Sequence, residues 1–249
     1  MISAFVITYN SEKYLRRCLS SLSFVDEILV VDSNSSDGTL RIATEFNAKI
    51  IQKEFRGFSE KKEFAKNQCK FDWILNIDAD EFIPEETAHL IKESIKSNRY
   101  DAYYFPFKTF YRDIEIRYGR HKNERHIRLF KKELKYGDRL VHEKIRGVKN
   151  AGFINGYIIH TPYEDISDIR NRAIRNARLS SEEKAGLPLF LLVIFLIFNP
   201  LIRFIKEYIF LSGLANGTTG FYFAFYSAKE VYLKYLWGLK KRFNPSFSP

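Results

Sequence analysis

Trp73-Ile74-Leu75-Asn76-Ile77-Asp78-Ala79-Asp80-Glu81 is the stretch on which the reading of this chain turns. The apolar run, ending in acids and followed by Pro84, reads as a buried strand that delivers two carboxylates to a sheet edge. Acids crowded at the end of a buried strand repel one another and lose hydration, so they need a counter-charge. A divalent cation is the simplest one, and oxygen ligands suit Mg²⁺ or Mn²⁺. Beside a nucleotide, such a cation implies chemistry on a diphosphate. Taken alone, so short a pattern reads as a solvated acidic turn; the sequence upstream overturns that.

Outward from this stretch, the first hundred residues alternate strand and helix. Strands are predicted at 2–8, 27–32, 49–52 and 73–78, and helices at 11–22, 39–46, 60–69 and 85–97, the first capped by Asn10 or Ser11. This order predicts an α/β fold with a mostly parallel sheet covered by helices. Ligands in such sheets bind outside the carboxyl ends of the strands. Thr8, Asp32 and Asp80 all fall at predicted carboxyl ends. From residue 102 to 161 the pattern turns strand-rich, most clearly at 102–107, 126–130 and 156–160.

Thr8-Tyr9-Asn10-Ser11, then Val30-Val31-Asp32-Ser33-Asn34-Ser35-Ser36-Asp37-Gly38-Thr39, then Asp78-Ala79-Asp80-Glu81 resemble, in this order and spacing, the inverting glycosyltransferases of family 2, which have the Rossmann-like GT-A fold. The resemblance spans roughly the first 160 residues and is nearest to the lipopolysaccharide-core group. Gly57-Phe58, Lys62, Ala65, Asp72-Trp73, Arg128-Leu129-Phe130, Val141-His142-Glu143, Ile159-His160, Tyr163 and Gly213-Leu214-Ala215-Asn216-Gly217 carry it further. Where the family usually has Gln-Lys-Asn, this chain has Lys61-Lys62-Glu63, so the resemblance does not carry a sugar contact over to Glu63.

The resemblance implies roles. Asp32 reads the base N–H of a nucleotide-sugar donor, a UDP-sugar, with Thr8, Tyr9 and Asn10 lining the pocket. Asp78 faces the ribose or holds the metal through water, and Asp80 directly binds Mg²⁺ or Mn²⁺, which takes up the charge of the departing diphosphate with help from Lys62. His160 is a further candidate for the metal shell. An inverting displacement needs a base on the face opposite the leaving group. Glu143 is the choice, Asp138 the runner-up and Asp113 a third candidate, while His142 and Arg128 orient the base or contact the acceptor. The same residues also have plainer readings: Asp32 as a turn cap, Lys62 as a solvated helix face, His142 and His160 as packed histidines.

The chain of 249 residues can bury a full core, and its formal net charge is +10. Two cysteines, Cys18 and Cys69, give no disulfide framework or zinc spacing and fit a reducing compartment. The N-terminus runs directly into a strand, so no signal peptide is expected. No nucleic-acid module accompanies the basic residues. Arg170, Arg172, Arg175 and Arg178 instead precede an apolar run at 187–198, and the 221–243 tail is rich in Phe, Tyr, Trp and Lys. That pattern favours an anionic membrane surface. Asn199-Pro200 is expected to break the run short of the ~20 residues a spanning helix needs, leaving an interfacial or re-entrant piece and a second amphipathic piece at 201–211. A core helix pair or an oligomer interface has the same composition.

The expectation is a GT-A catalytic domain over 1–165 and a helical, membrane-associating extension over 166–249. It would move a hexose to a glycolipid or oligosaccharide acceptor such as lipopolysaccharide core, peripherally on the cytoplasmic face of the membrane. Two other classes compete. A sugar-phosphate nucleotidyltransferase would carry a Gly-rich basic loop after the first strand, but no glycine precedes Gly38. A non-catalytic nucleotide-sugar-binding protein would not need the full acid set.

Overall fold

The computed structural model describes residues 1–137, 144–244 and 246–247. The chain divides into two compact units, Met1–Lys108 with Asn123–Thr161, and Thr109–Lys122 with Pro162–Pro249.

The first unit opens with β1 (Ile2–Thr8), α1 (Glu12–Ser20), β2 (Glu27–Asp32), α2 (Thr39–Glu45), β3 (Lys49–Gln52), α3 (Phe58–Gln68) and β4 (Trp73–Asp78). There follow β5 (Glu81–Phe82), α4 (Glu85–Ser97), β6 (Ala102–Tyr111), β7 (Ile114–Glu115, in the second unit), β8 (Arg125–Lys131), β9 (Lys135–Tyr136), β10 (Ile145–Arg146), β11 (Ala151–Phe153) and β12 (Ile158–Tyr163). The main sheet runs β3-β2-β1-β4-β8-β6-β12-β5. Its first four strands are parallel, and β8 lies antiparallel between β4 and β6.

Strand alternation splits the core into two layers. Ile2, Ala4, Val6, Leu75 and Ile77 pack with Leu15 and Leu19 of α1, Ile42 of α2 and Ile91 of α4. Phe5, Leu29, Val31 and Ile74 pack on the other side with Ala65 of α3. All are buried, and every predicted strand of the first half is present at its predicted bounds. Ser11, one of the two expected caps, occupies the N-cap position of α1. Ser11 makes no side-chain cap bond; the Asp37 carboxylate instead accepts from Glu12 N at 3.1 Å. This ties the β2–α2 loop to the start of α1. Gly57 precedes α3 at φ 136°, a backbone region closed to residues with a Cβ, and its carbonyl starts the helix by accepting from Lys61 N.

The second unit is built on α5 (Ile166–Ala185), α6 (Leu189–Ile205) and α7 (Gly217–Phe243). Asp165 and Asp168 form a reciprocal capping box at the start of α5. Where the chain turns back into α7, Gly220 lies so close to Gly213 that a Cβ there would sit 1.9 Å from the Gly213 carbonyl oxygen. The expected break at Asn199-Pro200 does not occur. α6 runs through Pro200 and continues as a π-helical turn at Lys206–Phe210, giving an unbroken apolar helix of 22 residues, Leu189–Phe210, whose most apolar 18-residue stretch has a mean hydropathy of 2.2. Proline removes one N–H and crowds one carbonyl, which a helix absorbs as a kink when its neighbours hold it. Here Asn199 Nδ2 donates to the Tyr235 hydroxyl of α7 at 3.2 Å.

Candidate active site

The parallel register brings the predicted residues together. Thr8 pairs with Asp32 across β1 and β2, and Ile7 pairs with Asp78 across β1 and β4. The three carboxyl ends therefore lie side by side at one edge of the sheet, at the ~4.8 Å spacing of neighbouring strands. Strand β5 pairs antiparallel with β12 and sets His160 opposite Glu81. Asp80, between β4 and β5, is held by its carbonyl, which accepts from Thr161 N at 2.9 Å.

At the β1–β2 end, Asp32 is fully buried. Its Oδ1 accepts from the Thr8 hydroxyl at 2.8 Å, and its Oδ2 accepts from Ser35 N at 2.8 Å. The carboxylate thus builds the loop that follows it. Asn10, at φ 48°, presents its side-chain oxygen to Ser36 N at 2.9 Å, and its own N–H donates to the Ser35 hydroxyl. Tyr9, 65% exposed, stands at the rim of this loop pair.

At the β4 end the acids are matched by cations from two directions. Asp78 Oδ1 lies 3.1 Å from Lys62 Nζ of α3, and its Oδ2 accepts from Arg128 of β8 at 2.8 Å. The same guanidinium binds Glu81, whose other oxygen accepts from Asp78 N at 3.1 Å. Burial pushes the Asp78 carboxyl up, but Arg128 and Lys62 outweigh it and hold it well below the usual carboxylate range. Glu81 is raised, by burial first, against Arg128 and with help from neighbouring Asp78 and Asp80. Arg128 is buried and engaged with carboxylates, with its guanidinium carbon 5.3 Å from the Phe107 ring centroid. Asp80 Oδ2 lies 3.5 Å from His160 Nε2.

Among the described residues, no group of three or more His, Cys, Asp or Glu is placed to hold a metal ion. The donor set still fits Mg²⁺ or Mn²⁺ of the kind carried with a diphosphate. Such ions take one or two protein carboxylates and complete their shell with phosphate oxygens and water. Asp80 offers one carboxylate of that kind at the sheet edge, with His160 Nε2 beside it. Glu143, Asp138 and His142 lie outside the described residues.

Two features were not foreseen in the sequence. Lys61 is 2% exposed; its ammonium donates to the Thr8 carbonyl at 2.8 Å and the Ser33 hydroxyl at 2.6 Å, pinning β1 to the loop after β2. The available signal was its spacing of four from Ala65, which places a charge on the helix face that meets the sheet. Glu63, the departure from the family pattern, is structural: it accepts from Tyr136 N at 2.9 Å and pairs with Lys66 at 2.8 Å.

Burial lowers the Lys61 ammonium from 10.5 to about 8, against an opposing pull from Asp32. The unfolded chain then binds more protons than the folded one between these values, so stability should rise with pH across that window by up to about 3 kcal/mol. The gain is complete above the ordinary lysine value and absent below about 8. Lys61→Met should flatten this slope. Parallel melting-temperature profiles for the two proteins between pH 7.5 and 10.5 would refute it.

A family model described as Glycosyl transferase family 2 matches residues 3–155. The lipopolysaccharide core biosynthesis glycosyltransferase LpsC of Rhizobium meliloti is 29% identical over 98% of this chain and 95% of its own length. An uncharacterized glycosyltransferase of Rickettsia felis is 44% identical over 103 residues, a match covering 41% of this chain and only 36% of that protein. Among solved structures, residues 1–349 of S. aureus TarS superpose with a TM-score of 0.51 at 17% identity, covering 93% of this chain and 90% of that one. TarS has also been solved in complex with UDP-GlcNAc, at a TM-score of 0.50. The strand order, the acid edge and a family match across more than half of the residues agree, and the chain belongs to glycosyl transferase family 2.

Proposed function

We propose that this glycosyltransferase moves a hexose from a nucleotide sugar, a UDP-sugar, to a cell-envelope glycan or glycolipid such as lipopolysaccharide core, inverting the anomeric centre. The observation that supports this most is the alignment of Thr8, Asp32 and Asp78 at one sheet edge, with Asp80 and His160 next to them. The base of the donor lies over the rim formed by Tyr9, Asn10 and Ser35, which Asp32 holds from below. Asp78, kept ionised by Lys62 and Arg128, faces the ribose, and Lys62 brings positive charge near the diphosphate. Asp80, with His160, would hold Mg²⁺ or Mn²⁺. When bound, that ion supplies positive charge to the leaving diphosphate.

Glu143 takes the proton of the acceptor hydroxyl while the hydroxyl's oxygen bonds to the anomeric carbon, and the bond from that carbon to the diphosphate oxygen breaks. Asp138 is the alternative base, and His142 orients the pair. The basic, aromatic sequence after residue 166 supports the further reading that the protein works peripherally at the cytoplasmic face of a membrane, where a glycolipid acceptor would lie.

The test is a screen of nucleotide sugars for metal-dependent thermal stabilisation, followed by turnover on acceptor extracts. A UDP-sugar should raise the melting point only with Mn²⁺ or Mg²⁺ present. Release of pyrophosphate from a nucleoside triphosphate and a sugar phosphate would instead mark a nucleotidyltransferase. Glu143→Gln should keep the donor-induced shift and lose about a hundredfold in transfer. A fully active Gln variant would move the base elsewhere.

A further inference from the structure

α6 exposes an apolar face along its length. Leu189, Phe190, Val193, Ile194, Ile197, Phe198, Leu201 and Ile202 are all more than 40% exposed, and they recur in pairs at the four-residue spacing of one helix side. A continuous patch of this kind marks a surface that meets something apolar. With the π-helical turn that continues it, the 22 residues Leu189–Phe210 extend for about 33 Å, long enough to cross a bilayer. Two occupants compete for such a face, a bilayer and a second copy of the chain.

The partner helix decides how α6 can meet a membrane. α7 runs antiparallel along the other side of α6. Arg242 donates to the Leu187 carbonyl at 2.7 Å at one end. Phe195 meets Tyr235 in the middle, and Phe204 meets Phe221 near the other end. The Ser227 hydroxyl donates to Glu207 at 2.7 Å, closing the pair. An upright α6 would therefore carry Lys229, Glu230 and Lys234, from the middle of α7, into the hydrocarbon, where such charges are strongly disfavoured. Lying flat, α6 buries only its exposed face, and α7 takes the place of the polar side of an amphipathic helix.

The charge of this unit favours lipid over a second copy. Residues 109–122 and 162–249 carry sixteen Lys and Arg against nine Asp and Glu. Two such units face to face would repel, whereas anionic headgroups complement them.

We infer that α6 lies in the plane of an anionic bilayer, with its Leu189-to-Ile202 face sunk below the headgroups and α7 above it. This deepens the membrane reading given under the proposed function and needs no nucleotide for its test.

The full-length protein is mixed with vesicles of phosphatidylcholine with and without phosphatidylglycerol and floated. Binding should require the anionic lipid and weaken at least tenfold in Ile194→Asp/Phe198→Asp, with an unchanged far-UV spectrum and melting point. A fluorophore is then placed on Phe190→Cys, Ile197→Cys or Leu201→Cys, since native Cys18 and Cys69 are buried. Quenching by lipids spin-labelled at shallow and deep positions should give one common depth for the three sites. A depth gradient along the helix would overturn the flat arrangement while leaving membrane contact standing. Absence of vesicle binding would overturn membrane contact itself, and sedimentation as a dimer that Ile194→Asp/Phe198→Asp dissociates would assign the face to a second copy.

Discussion

Arg128→Met is expected to destabilise the fold by about 3–5 kcal/mol, the range for removing one partner of a buried ion pair. Arg128 is the shared counter-charge of Asp78 and Glu81, and Glu81 is only 1% exposed. Without the guanidinium, Glu81 has no water to turn to and sits beside two further carboxylates. It must fold protonated or not at all. The direction with pH follows. A carboxyl raised in the folded state supports folding below its unfolded value and opposes it as pH climbs through the folded one. The variant should therefore regain stability on acidification from pH 8 to 5, more than the parent does. Glu81→Gln should restore part of the loss in the Arg128→Met background, because the surplus charge is gone. Arg128→Lys should rescue poorly, since an ammonium cannot span both acids as the guanidinium fork does. Circular-dichroism melts of the four proteins decide it: an Arg128→Met melting point equal to the parent's would show that the acids find their counter-charge elsewhere.

Much of this site was legible in the sequence, for definite reasons. Strands buried on both faces are short apolar runs, and here each ends sharply in polar residues, as Ile7-Thr8, Val31-Asp32 and Ile77-Asp78 do. A parallel sheet then converts separate sequence ends into one spatial edge, so topology alone brought Thr8, Asp32 and Asp78 together. The pairing within the edge was not legible. Nothing in the order of residues says that Arg128, fifty positions on, closes over Asp78 and Glu81, because that contact depends on the antiparallel register of β8 against β4. Lys61 escaped for a related reason: a lysine on a helix is read as solvated until the helix is docked, and only docking shows that its ammonium reaches the Thr8 carbonyl. The continuation of α6 through Pro200 is of another kind. Proline is a local signal, and the anchoring of Asn199 by Tyr235 that accompanies an unbroken α6 comes from 36 residues away.

The second large effect separates two acids that differ by two positions. Asp80→Asn should lower transfer about 10³-fold, the equivalent of about 4 kcal/mol of charge stabilisation on the leaving diphosphate. It should also remove the dependence of UDP affinity on Mn²⁺ while leaving the melting point near that of the parent. Asp78→Asn should behave in the opposite sense. Asp78 is engaged by Lys62 at 3.1 Å and Arg128 at 2.8 Å, both nearly buried, so loss of its charge leaves two cations under-compensated in the interior. Its main effect should be a lower melting point, with Mn²⁺ dependence retained in whatever protein stays folded. Asp80, by contrast, lies against His160 at 3.5 Å, and the cost of neutralising it falls on the ligand. Calorimetric titration of UDP with and without Mn²⁺, read beside thermal melts, tells the two apart. If Asp80→Asn still bound UDP in an Mn²⁺-dependent way and Asp78→Asn did not, the metal would belong to Asp78, and the pairing with Lys62 and Arg128 would have to open when donor arrives.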